Sequence, residues 1–247
     1  MPIEFLEYAA IGFLAQLVDG ALGMAYGVLS TSFLLGAGIP PAAASASVHT
    51  AEVATTALSG LSHAYFRNID RRVFVRLAAA GMAGGVIGAY LLSNVPAEAV
   101  RPFVAAYLGV MGLLILRRAI RWNGRSDGTN KPVLPLGFVG GLLDSLGGGW
   151  GPIVVSTLIG RGGTPRYSIG TVVAAEFFVA GATSLTFLAT IGLTHWRIVL
   201  GLLVGGAVAA PLAGWLGKHI PARPFTYAVG IAVILLAGWN LVMLLTR

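Results

Sequence analysis

Four acids lie inside otherwise apolar stretches of this chain: Asp19, Glu52, Asp144 and Glu176. A charge at the centre of a bilayer costs at least a few kcal/mol, so such residues face a protein interior or water and usually mark pathways. Ser45 and His49 precede Glu52 at spacings that put all three on one face of a helix, and the stripe runs on through Thr56, Ser59 and His63. The chemistry this offers is hydrogen bonding to a small polar solute together with proton transfer. His49 can donate a hydrogen bond or titrate, and a glutamate withdrawn from water can take and release a proton. Asp19 and Asp144 each stand just before glycines, where a carboxylate can also cap a short helix. Glu52, Glu176, Asp19 and Asp144 are the candidates for proton coupling.

The glycines supply a second kind of chemistry. Gly20, Gly23 and Gly27 in one place, and Gly147, Gly148, Gly149 and Gly151 in another, allow unusual backbone geometry. A helix broken there exposes N–H groups and a positive dipole end, which suit an anion with no buried Lys or Arg. Ser30, Thr31 and Ser32 follow the first cluster, and Ser156 and Thr157 the second. The expected substrate-binding set is Gly23, Tyr26, Gly27, Ser30, Ser45, His49, Gly148, Gly149 and Trp150. Tyr26, Trp150 and Trp215 could line a gate or pack. Trp122, Trp196 and Trp239 read as anchors at the membrane surface or toward lipid. The spacing of Gly81, Gly84, Gly85 and Gly88 is that of close helix packing.

The elements that must hold these residues are membrane helices. The 247 residues are 56% hydrophobic and 10% charged, against about 25% charged in a soluble domain. No stretch is long enough for a separate soluble domain. There is no cysteine, so disulfides and thiolate chemistry are excluded. The net charge of +7 comes from short loops between apolar segments, so it argues for membrane topology and not for nucleic acid. Apolar segments run over 3–18, 21–38, 42–66, 73–93 and 101–120, then over 133–146, 149–160, 167–191, 198–217 and 225–246. Six of them reach about 20 residues, enough to cross about 30 Å of hydrocarbon. The other four, 3–18 with 21–38 and 133–146 with 149–160, form two adjacent shorter pairs hinged at glycine, which favours re-entrant hairpins. The first of them lacks a basic leader and cleavage site and reads as part of the mature protein.

The two halves match. GFLAQLVDGALGMAYG aligns with GFVGGLLDSLGGGWG, so that Asp19 falls on Asp144, and further on Gly36 falls on Gly160, Pro41 on Pro165 and Glu52 on Glu176. Only Glu176 and Thr183 keep the polar stripe in the second half. Ile169, Val173, Ala180 and Phe187 stand at its other positions, so the first half is expected to do more of the substrate and proton handling. With the loop from Arg67 to Arg76 placed in the cytoplasm, only Arg101, Arg197 and Arg247 of the 16 Lys and Arg fall outside. Each half then crosses an odd number of times, both termini lie on the outer side, and the halves form an inverted repeat, as in secondary transporters. The fold class is an all-α polytopic membrane protein in which each half has a short glycine-hinged helical hairpin and three full spans. The first repeat covers 1–121, a cytoplasmic linker 122–132 and the second repeat 133–247.

The stretches VDGALGMAYGVLSTSFLL, PPAAASASVHTAEVATTALSGLSHAYFRNID and LDSLGGGWGPIVVSTLIGRGGTPRYSIGTVVAAEFFV together resemble the sulfite exporter TauE/SafE family of membrane permeases. The likeness spans nearly the whole chain and both repeat motifs. It implies export or uptake of a small sulfur-containing anion, such as sulfite, sulfoacetate or another organosulfonate, coupled to the proton gradient. Val173 departs from the polar residue that the resemblance leads one to expect before Glu176. The expected function is thus a proton-coupled secondary transporter in the cytoplasmic membrane, working by alternating access. Its partners are a small sulfur anion, protons and lipid, with no nucleic acid, cofactor, metal or catalytic residue. An uncoupled anion channel or uniporter would use the same site. A membrane-embedded enzyme has less support, since His49 and Glu52 form one His-x-x-Glu pair that nothing in the sequence completes into a metal site.

Overall fold

The structure, a computed structural model, describes residues 2–22, 24–120, 132–192, 195–219 and 221–246. Gly23, Trp122, linker residues 122–131 and Arg247 lie outside the described residues, as does the side chain of Trp215. Every regular element among the described residues is helical. The order is α1 (Pro2–Leu22), α2 (Tyr26–Gly36), α3 (Pro41–Tyr65), α4 (Arg71–Asn94), α5 (Ala97–Ile120), α6 (Val133–Asp144), a π-helical turn (Gly151–Val155) running into α7 (Ser156–Gly160), α8 (Pro165–Ile191), α9 (Trp196–His219) and α10 (Ala222–Leu245).

Local chemistry sets these boundaries. Pro41 and Pro165 open α3 and α8, each after an extended residue, Pro40 or Thr164. A proline in the first turn sacrifices only an N–H that would have no helical partner. The Asp70 carboxylate caps α4 by accepting from Arg72 N at 3.0 Å and Val73 N at 3.1 Å. α1 is longer than the sequence suggests. It passes through Asp19 and Gly20 and runs 21 residues to Leu22, about 31 Å at 1.5 Å per residue. The break then falls between Leu22 and Tyr26. The second pair keeps its two short arms, with α6 at 12 residues.

Four described helices are long and apolar enough to cross a membrane: Arg71–Asn94, Ala97–Ile120, Arg166–Ile191 and Arg223–Leu245. α3 has the length, at 25 residues, but its polar stripe dilutes its hydropathy. Large apolar side chains stand exposed along the outward faces, among them Phe103, Leu185, Val208 and Leu235, which suits lipid contact.

Helices pair across the halves. α1 packs on α9, α4 on α6 and α8, α3 on α8 and α9, and α5 on α10. Exchanging the halves leaves this set of pairings unchanged. α3 and α8 run antiparallel: Thr50 meets Ser184, Gly60 meets Ala174, and Gly170 lies against His63 and Asn68. α5 and α10 do the same, with Gly112 against Ile234 and Gly230 against Leu116. The loop after α3 is joined to the first turn of α8, where Arg166 donates to the Asn68 side chain and, at 3.1 Å, to the Phe66 carbonyl.

Candidate functional site

The two helix breaks touch. A Cβ added to Gly27 at the start of α2 would lie 2.6 Å from Gly148 Cα and 3.0 Å from Glu52 Oε1. Gly148 also has φ +83, a left-handed conformation that glycine adopts without strain. No side chain therefore fits between the breaks. Ala25 holds a similar left-handed φ of 89 just before α2.

Each break is closed by the aspartate before it. Asp144 Oδ1 accepts from Gly149 N and Trp150 N, both at 2.8 Å. Asp19 Oδ1 accepts from Tyr26 N at a long 3.4 Å. The capping read from sequence thus exists in both halves, between repeat-equivalent residues. It also changes one expectation. At the second break two of the N–H groups expected to be free for an anion are occupied by Asp144.

The stripe on α3 faces the protein interior. Ser45, His49, Glu52 and Thr56 are buried, Ser59 is partly so, and His63 lies near the loop with Nδ1 3.3 Å from Asn68 Nδ2. His49 is fully buried and crosses to the other half, with Nε2 3.2 Å from Asp144 Oδ2. Its Nδ1 donates to the Ser45 carbonyl at 2.8 Å, and the Ser45 hydroxyl donates to the Ser145 carbonyl at 2.6 Å. Glu52, 4% exposed, has no hydrogen-bond partner on Oε2. It lies within electrostatic reach of His49, Asp144 and Asp19. Glu176 is partly buried and within reach of Glu52, Asp144 and Asp19. His49 and Asp144 are in contact, and Glu52 and Glu176 are each within electrostatic reach of Asp144 and Asp19.

Buried hydroxyls without partners lie on the helices that leave the two breaks. Ser30, Thr31 and Ser32 are fully buried, and none has a partner in the protein; the Tyr26 phenol and the Ser156 hydroxyl also lack one. A buried hydroxyl without a partner costs free energy. Consecutive helix residues point to different sides, and of the three it is Thr31 that lies against Gly147 at the second break. Thr157 instead donates back to the Ile153 carbonyl at 2.6 Å. Trp150 is packed and satisfied: its indole donates to the Val172 carbonyl at 3.1 Å and its ring lies against Gly81 and Gly140.

Sequence reasoning passed over two residues of α5. The Tyr107 phenol, without a partner, lies against Gly149. Arg118 reaches the first break, its guanidinium 3.1 Å from Met24 Sδ. Neither stands in a local motif, and only the packing of α5 brings them there.

The model of the sulfite exporter TauE/SafE family matches residues 8–239. The chain therefore belongs to this family of membrane permeases. It is 39% identical over 249 residues to the probable membrane transporter protein YtnM of Bacillus subtilis (strain 168), covering 97% of this chain and 83% of that protein. No solved structure matches. The family and this relative point to a permease and not to an enzyme.

Proposed function

We propose that the protein is a secondary transporter that moves a small sulfur oxyanion or organosulfonate across the cytoplasmic membrane, coupled to protons, by alternating access. The observation that carries this reading is the fully buried His49–Asp144 hydrogen bond, which joins the two halves where their glycine breaks touch. At the breaks lie the partnerless Thr31 hydroxyl, against Gly147, and the Glu52 carboxyl, against Gly27, with its Oε2 unsatisfied. Hydroxyls and backbone N–H groups recognise an oxyanion, and Glu52, with Glu176 as a second candidate, carries the coupled proton. The antiparallel packing of the equivalent pairs α3 with α8 and α5 with α10 supports an inverted arrangement of the halves. The arginine-bearing loop after α3, joined to α8, supports a cytoplasmic location for that end, with both termini outside.

The test is uptake into proteoliposomes of sulfite, sulfoacetate, sulfate and taurine, with and without an imposed pH gradient. Gradient-driven accumulation of one anion is the expected result. Flux that only equilibrates would make the protein a channel or uniporter.

A further inference from the structure

Asp144 is itself an anion lodged among groups that want one. Oδ1 takes two backbone N–H groups and Oδ2 faces His49 Nε2. The other nitrogen of His49 fixes the bookkeeping of protons. Nδ1 faces the Ser45 carbonyl oxygen, which can only accept, so Nδ1 carries a hydrogen. With one proton between Nε2 and Oδ2 the pair is neutral overall, whichever atom holds it. A second proton, taken by the Asp144 carboxyl, leaves an imidazolium and two N–H groups with no anion to face.

The walls around this point already carry polar groups with nothing to bind. Thr31, fully buried, has no partner for its hydroxyl and lies against Gly147. Glu52, from α3, has its Oε1 beside Gly27, where the breaks meet, and a partnerless Oε2. The other titratable groups within electrostatic reach of Asp144 are Tyr107 from α5 and Glu176 from α8. α4, packed along α6, offers none between Arg76 and Tyr90. Of these groups only His49 can carry a positive charge.

Building on the transporter reading above, we infer that the Asp144 carboxylate holds the place of the transported anion, and that the anion enters only with a proton that neutralises Asp144. One proton accompanies each negative charge bound there. The proton goes to a carboxyl oxygen of Asp144, the anion takes over the N–H groups and the imidazolium, and no covalent bond forms or breaks. The net charge of the site is the same before and after, so the exchange is electroneutral.

The experiment is binding of methanesulfonate and isethionate, both singly charged from pH 5 to 8, to the purified full-length protein, read by calorimetry. In the wild type the dissociation constant should rise about tenfold per pH unit once the proton is no longer held, the slope of one linked proton. Asp144→Asn keeps an oxygen for the N–H groups but no charge to neutralise, and adding His49→Gln removes the other group of the pair that can take the linked proton. The double variant should bind with no pH slope. Should that variant not fold, His49→Gln, which leaves Asp144 in place, should bind more weakly and keep the one-proton slope. Flat binding by the wild type, or a wild-type slope in the double variant, overturns this inference alone. No binding of either sulfonate by the wild type at any pH removes the organosulfonate reading and this inference with it.

Discussion

The two helix breaks carry matching sequence and are built differently. At the second, Asp144 is fully buried, takes two N–H groups at 2.8 Å and is met by His49 from the opposite half. At the first, Asp19 is partly buried and takes one N–H at 3.4 Å. The residue that would correspond to His49 is Val173, and the one corresponding to Ser45 is Ile169. Matching sequence thus carries a strong polar network at one break and a bare cap at the other. The cap is present twice and the histidine once.

The largest effect should come from the point where both breaks touch. Gly148→Ala would drive a methyl into the Gly27 backbone while forcing a left-handed φ on alanine. It should cost the folded protein several kcal/mol, about 3 or more, visible as loss of a monodisperse species in detergent. Next comes the comparison itself. Asp144→Ala should cost about 3–5 kcal/mol, because it strands a buried histidine and two N–H groups. Asp19→Ala should cost only about 1 kcal/mol, as for an ordinary cap. Thermal unfolding followed by tryptophan fluorescence would rank the two, and equal costs would erase the asymmetry.

A smaller structural effect, but a clear functional one, is expected from the glutamates. Glu52→Gln should abolish gradient-driven uptake and leave the unfolding temperature within a few degrees of the wild type. Glu176→Gln, at a less buried position, should reduce uptake less. Retention of full coupling in Glu52→Gln would remove its proton role. The smallest effect is a gain. Ala25 sits at φ 89 without being glycine, so Ala25→Gly should stabilise the first break by up to about 1 kcal/mol.

Much of this was readable in the residues. The spacing of Ser45, His49 and Glu52 announces one helix face, and that face is buried against the other half. The match of Asp19 to Asp144 announces equivalent caps, and both exist. The glycines from Gly81 to Gly88 announce close packing, and a Cβ on Gly84 would meet the Phe138 carbonyl. What escaped depends on distant packing. The His49–Asp144 contact spans 95 residues, and no local period encodes which loop faces which helix. Tyr107 and Arg118 are reached only by knowing how α5 lies. The end of α1 was misjudged because Asp19 and Gly20 look like a stop, although the Asp19 side chain reaches past the break to Tyr26.

The glycine contacts have a mechanical meaning as well. Where Gly84 and Gly141 bring α4 and α6 together, and Gly12 and Gly205 bring α1 and α9 together, backbone lies on backbone with no side chain between. Such a seam has no rotamers to rearrange, so sliding along it means steric collision at every step. Each seam behaves as a weld. Since α1 and α9 come from different halves of the chain, as do α4 and α6, each such seam joins the two halves. A motion that kept the seams intact would carry pieces of both halves together, so its rigid units would match neither half.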